Sequence, residues 1–456
     1  MAKQLSRRGF LRISAGMGGA AVLAACGQQP AAPGGETAAT AVPAGGTTAA
    51  TTAPVQGDTA KQKITVWFWD AALAASVEGF KAVNPNIEVE FVQQPFADSH
   101  DKLLTSLAAG TGAPDVAALE IGRVGNFVSK GGLSDLKGAP FDAGSMEKDI
   151  VAYKWTQGST PDGRLIAMPW DIGPAGVWYR TDLFEANGYP IEPEAVAEKF
   201  SGANKTWDDY LAFAKEFKDK SGGKTSLFAD AGTDLYGAIY RQQGAGYFEG
   251  NKALIEEKAT SALSFASRGR KEALDANIPW WGPEWQAGLK DNAIAGMVIA
   301  CWMQGGLTRE QPDLIGKWRV VPAPVANYNW GGSFMAIPEQ SVNKEAAWEF
   351  IKYVCASVEG QNTLFKASGI FPAYKPAWQD PAYDQGVDFF GGQKVYRLWA
   401  DISDNVEANF TSPFDLQAED LVAAELTKVL QEGKDPVQAA KDAEAEALLQ
   451  IEGATN

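Results

Sequence analysis

Trp69 and Asp70 close the first strand-like run of this chain, KITVWFWD. Glu120 closes a later one, PDVAALE, with Arg123 about one turn beyond it. An indole, a carboxylate and a guanidinium together suit a polyhydroxylated ring. The indole stacks on the apolar face, and the charged groups satisfy hydroxyls that would cost about 1–3 kcal/mol each if buried unpaired. More indoles are at hand. Trp281 lies in IPWWGPEW beside Trp280 and Trp285, Trp302 follows the apolar run AIAGMVIAC, and Trp330 precedes Gly331 and Gly332. Two successive glycines let backbone approach a ligand closely. Each feature has a plainer use. Asp70 could cap the helix after it, most of the 15 tryptophans would be packing residues, and the glycine pair could serve a bulge.

The inventory narrows other chemistries. The one histidine, His100, sits in the polar stretch DSHDKLL and is expected at the surface. Cys301 and Cys355 lie in apolar surroundings, MVIACW and WEFIKYVCAS, and are expected as two buried thiols rather than a disulfide. These groups cannot supply an ordinary zinc site or a comfortable Ser-His-Asp triad. No GxxxxGK[ST] or GxGxxG phosphate loop occurs. No cofactor and no metal are therefore expected. Carboxylate-pair hydrolysis of glycosides stays open, since 56 acidic residues could supply it.

The chain begins MAKQLSRRGFLRIS, followed by a short Ala/Gly-rich apolar core and LAAC. Basic flank, apolar core and small-residue exit predict a secretory signal over residues 1–25. Ser6, Arg7, Arg8, Phe10, Leu11 and Arg12 resemble a twin-arginine export signal. Leu23–Cys26 resembles a bacterial lipobox, which implies lipid on Cys26 and attachment to the outer face of the cell membrane. Residues 26–61 are rich in Ala, Pro, Gly and Thr and predict a tether with a reach of roughly 30 Å. Removing the leader's four cations leaves 36 against 56 anions, a net charge near −20. Such a charge argues against nucleic acid as a partner.

What must position the site residues is legible further on. KITVWFWD, LAASVEGFKAV, IEVEFVQ, DSHDKLLTSLAAG and PDVAALE read as strand, helix, strand, helix, strand, hence βαβ units on a parallel sheet. LIAMPW, GVWYR, AIAGMVIACW and RVVPAPV read as further strands. TWDDYLAFAKEFKDKSGG reads as a helix capped by Thr206 with Asp209 three residues on, and NKEAAWEFIKYVCAS as another. Residues 380–450 are expected to be helical throughout.

In this order, with GMVIACWMQGG, WGGSFMAIP and FPAY, the pieces resemble family 1 extracellular solute-binding proteins. These are the sugar-binding subunits of ABC importers and include maltose-binding protein. The resemblance spans residues 62–450. It implies a type II periplasmic-binding-protein fold, with two α/β lobes joined by crossing segments and a ligand cleft between them. The implied lobes are 62–170 with 329–372 and 171–328 with 373–452. The implied crossings lie near Pro169–Gly176, Asn327–Gly332 and Phe371–Lys375. On the resemblance, Asp70, Glu120, Arg123 and Trp302 are ligand contacts, and Phe414 and Asp415 face the cleft; Asp171, at the first crossing, is either a ligand contact or a hinge hydrogen bond. Leu119 stands where the maltose-binding pattern has an aromatic, which argues against a maltodextrin. The function implied is capture of a sugar or oligosaccharide by a monomeric protein, and delivery to the permease subunits. The alternatives are a secreted glycosidase or lyase, or a binding protein for glycerol-3-phosphate, a polyamine or iron.

Overall fold

The computed structural model describes residues 61–244, 246–407 and 411–455. The expected signal, Cys26 and nearly all of the tether lie outside the described residues. Among the described residues no helix is long and apolar enough to cross a membrane.

Strand β1 (Gln62–Phe68) buries Ile64, Val66 and Phe68. It pairs in parallel with β2 (Ile87–Gln93) and β3 (Val116–Glu120). The links are helices Leu73–Val83 and Phe96–Ala109, so the βαβ expectation holds. Gly110, at φ 70°, ends the second helix in the left-handed conformation that suits glycine there. The chain then leaves this sheet through β4 (Met168–Pro169), β5 (Asp171–Ile172) and β6 (Pro174–Arg180). β7 (Phe248–Glu249) and β8 (Lys252–Ala253) form a small hairpin. β9 (Gly296–Ala300), β10 (Trp318–Pro322) and β11 (Tyr328–Asn329) each pair antiparallel with β6. β12 (Ser333–Ala336) returns to the first sheet, which runs β2-β1-β3-β12-β4. β13 (Phe371–Pro372) pairs with β5 at the waist.

Two lobes result, each an α/β layer around its own core. Ile64, Val66, Phe80, Trp170 and Met335 anchor the first. Val177, Tyr210, Phe217 and Leu263 fill one side of the second, and Trp178, Trp318 and Trp399 the other. The waist is tied by hydrogen bonds between crossings. Trp330 N–H donates to Gly173 O at 2.7 Å, and Gly173 N–H and the Tyr153 hydroxyl both donate to Asn329 Oδ1. The lobes also meet away from the waist. A Cβ on Gly125, in helix Ile121–Lys130, would stand 2.1 Å from the Ser412 carbonyl oxygen.

Thr206 and Asp209 form the expected capping box. Cys301 and Cys355 are both free and buried. Residues 380–450 depart from expectation. They open with 3-10 turns up to Phe390, and only Val395–Ser403, Asp415–Gln431 and Pro436–Thr455 are α-helical. Pro381, Gly386, Gly391 and Gly392 break the helical period in the first part.

Candidate ligand cleft

The carboxyl ends of β1 and β3, the crossings and the start of helix Met303–Glu310 converge on one cavity of about 650 Å³. Trp69, Asp70, Glu120, Asp171, Trp281, Trp302, Trp330, Gly331 and Gly332 line it. Open α/β sheets place sites at the carboxyl ends of strands, and this one follows.

Three residues expected at the cleft do not line this large cavity, although one of them, Asp415, lines a smaller cavity that adjoins it. Arg123, on the helix after β3, is not among the lining residues and acts electrostatically on His100. Phe414 packs its ring against Phe248, with centroids 5.4 Å apart. Asp415 is committed to backbone: Oδ1 accepts the N–H groups of Tyr247 and Phe248, and Oδ2 accepts that of Ser412. It lines an adjoining cavity of about 130 Å³ that shares Glu120, Trp330 and Gly331 with the large one.

The second lobe contributes an aromatic wall. Trp302 Nε1–H donates to Trp330 O at 2.8 Å, which fixes the indole. Trp281 stacks on it with centroids 5.9 Å apart and planes 21° apart. Trp281 is 62% exposed, whereas Trp280 and Trp285 are buried behind it. Trp280 donates to the buried Asp234 carboxylate at 2.9 Å. Across the cleft, Trp69 meets Phe96 edge-on at 5.2 Å. Asp70 lines the cavity but does not cap the helix Leu73–Val83, whose N-cap position is Ala72 and has no side-chain hydrogen bond. Its Oδ1 accepts the Ala72 N–H at 2.9 Å in a turn before the helix.

Charge is concentrated at the waist. Asp171 Oδ1 accepts the Ser333 N–H at 2.7 Å. Burial pushes its carboxyl up to about 6, against the opposing pull of Lys154 and that hydrogen bond. Lys154 is fully buried; its Nζ donates to Gly331 O at 3.3 Å and lies 4.0 Å over the Phe334 ring. Burial pushes this ammonium down to about 8, with Asp171 and Glu120 opposing. Glu120 caps helix Ile121–Lys130 by accepting the Gly122 N–H, and burial raises its carboxyl. Lys154, Phe96, Gln157 and Arg241 were not anticipated. Arg241 lies 4.1 Å over the Trp330 ring, and the buried Gln157 Oε1 has no hydrogen-bond partner among the described residues. Phe96 had a signal, since it sits just past the carboxyl end of β2.

His100 is a correction. It is 2% exposed, not a surface residue. The helical period places it with Leu103 and Leu107, three and seven residues on, along the inward side of its helix. Its Nε2 accepts the Glu120 N–H at 3.0 Å, and Nδ1 faces Ser99 Oγ at 3.2 Å.

Residues 75–391 match the family described as bacterial extracellular solute-binding protein. The chain belongs to this family. This solute-binding protein is 26% identical over 364 residues to the lactose-binding protein of Rhizobium radiobacter, covering 74% of this chain and 81% of that one. It is also 26% identical over 354 residues to the arabinooligosaccharide-binding protein of Bacillus subtilis, covering 74% and 78%. Among solved structures it resembles the ABC transporter associated binding protein of B. animalis subsp. lactis in complex with β-1,6-galactobiose. There the identity is 25%, the TM-score 0.71, and the coverage 87% of this chain and 98% of that one.

The stability of the solute-binding protein should carry a signature of His100. Burial first, and Arg123 second, hold its imidazole down at about 4 from an ordinary 6.5. The unfolded chain thus takes the proton before the folded one does. Stability present above pH 6.5 is lost as pH falls through this window, by about 2 kcal/mol at pH 5. Asp171 has the opposite sign, regaining stability as pH falls from about 6 towards 3.8. His100→Gln should remove only the first contribution. Its melting temperature, relative to wild type, should rise by a few degrees between pH 7.5 and pH 5 in calorimetry. A difference independent of pH would show that His100 does not cause the acid loss.

Proposed function

We propose that this solute-binding protein captures a saccharide between its lobes, without turning it over, and hands it to the permease of an ABC importer. The observation that carries this reading is the cavity itself. Stacked indoles, Trp281 on Trp302, face Trp69, Asp70, Glu120 and Asp171 across about 650 Å³. That is the pairing of flat apolar surface with acceptor groups that a sugar ring requires. Both lobes contribute, so the ligand is fully contacted only when they close. Closure is then favoured by the difference in affinity between the two forms. The lobe boundaries are those implied by the resemblance, and the hinge is the waist where β5 pairs with β13. Lipid on Cys26, reached through export of the leader, would keep the binder on its tether near the permease. The named ligands of the relatives, lactose, arabino-oligosaccharide and galactobiose, give the first saccharides to try.

A thermal-shift screen of mono- and oligosaccharides at neutral pH tests this. At least one oligosaccharide should raise the melting temperature by several degrees, in line with micromolar or tighter binding. No shift with any saccharide, or cleavage products accumulating with time, would defeat the reading.

A further inference from the structure

The residues that line the first-lobe side of the cleft are held from behind by one ring that does not line it. His100 accepts the Glu120 N–H through Nε2 at 3.0 Å. Its ring lies 5.3 Å from Trp69 at 37°, and 5.8 Å from Phe96 at 74°. Phe96 and His100 are four apart on one helix and so share a face. Trp69 comes from just past the end of β1, Phe96 from the start of the helix after β2, and Glu120 from the end of β3. Three separate segments therefore touch one imidazole, and each of them reaches the cavity while His100 does not.

We propose that His100 is a positioning residue for ligand binding, setting the places of Trp69, Phe96 and Glu120 through one acceptor atom and one ring face. The role needs a defined tautomer. Nε2 must be bare to accept the backbone N–H, so Nδ1 carries the proton and turns it to Ser99 Oγ. An apolar residue of similar size would fill the space but leave the Glu120 N–H without an acceptor. That N–H lies where β3 turns into the helix that Glu120 caps, so its loss should shift the cap and the carboxyl together. A glutamine side chain offers a carbonyl oxygen at comparable reach.

The chain has a single histidine, so imidazole nitrogen NMR reads this residue alone. In the full protein at pH 7, Nε2 should appear unprotonated and Nδ1 protonated. Affinity is then measured for lactose and β-1,6-galactobiose, an arm that rests on the saccharide reading above. For whichever sugar binds, His100→Leu should weaken binding at least 10-fold, and His100→Gln should stay within about 3-fold of wild type. Hydrogen exchange at the Glu120 amide should be fast in the Leu variant and slow in the Gln variant. A protonated Nε2 overturns the proposal whether or not any variant folds. A Leu variant that binds like wild type overturns it as well. If wild type binds neither sugar, those two ligands are removed from the saccharide reading. Exchange then decides the positioning role, and a Glu120 amide still protected in His100→Leu defeats it.

Discussion

Replacing Trp302 by alanine is expected to weaken binding of the captured saccharide by about 100-fold, equivalent to about 2.7 kcal/mol. Two losses combine. The indole is the inner member of the Trp281–Trp302 stack, so its removal takes away the flat surface nearest the waist and leaves Trp281 packed only against Trp280 and Trp285. Its Nε1–H also donates to Trp330 O on the returning crossing, and the alanine variant leaves that carbonyl without this donor. Aromatic stacking contributes about 0.5–1.5 kcal/mol beyond area burial, and fully desolvated aromatic anchors dominate binding sites. Trp302→Phe keeps a ring but no donor and should lose about 5–10-fold, as the apportioning of those two contributions requires. Trp281→Ala should also lose only about 5-fold, because that ring is already 62% exposed and gives up less burial. Trp302 is partly buried at the cleft wall, so the fold should survive, as circular dichroism would verify. Isothermal titration with the saccharide found by screening supplies the comparison. Equal affinity in wild type and Trp302→Ala would take Trp302 out of the site.

Local rules carried far in this sequence, and they stopped where distance began. Gly110 and the Thr206–Asp209 box each act within a turn or two of chain, so period and composition expose them. Strand ends are equally legible, and Asp70 and Glu120 line the cleft because they end the first and third strand-like runs. Lys154 is not legible in this way. It lies in a short helix, Ala152–Gly158, and its neighbours Gly331 and Phe334 are nearly 180 residues away. Arg241 reaches Trp330 across a gap of about 90 residues. No local signal marks such contacts, because the fold alone brings them together. His100 failed differently. Its polar neighbours suggested the surface, while the Leu103 and Leu107 spacing on the same helix already indicated the inward side. Phe414 and Asp415 were placed by resemblance alone. In this chain, their side chains are absorbed by Phe248 and by the backbone of Ser412, Tyr247 and Phe248.

Gly332→Ala should cost about 3 kcal/mol of stability, although it adds one methyl group, because two penalties fall on the same atom. Gly332 has φ +94°, a conformation that alanine adopts only under strain. A Cβ there would stand 2.6 Å from Lys154 Nζ and 2.7 Å from Asp171 O. The Asp171 carbonyl belongs to β5, which is pinned by β13 and cannot retreat. The Lys154 ammonium is the more movable of the two. Pushing it aside separates this buried cation from Gly331 O and from the Asp171 and Glu120 carboxyls that oppose its loss of charge. Breaking up a buried charged group is among the few routes by which a single substitution exceeds the usual 0.5–3 kcal/mol. Urea titration should therefore show a lower midpoint with an unchanged slope. Gly306→Ala provides the contrast. It lies in helix Met303–Glu310, a Cβ there would meet nothing within 4 Å, and helical alanine should gain about 0.5–1 kcal/mol. If the two substitutions shifted the midpoint alike, the crowding at Gly332 would not be what holds this crossing in place. If Gly332→Ala alone falls, the waist is stabilised by the fit of bare backbone against Lys154. That fit would also fix Asp171, so the same variant should bind its saccharide more weakly even where it remains folded.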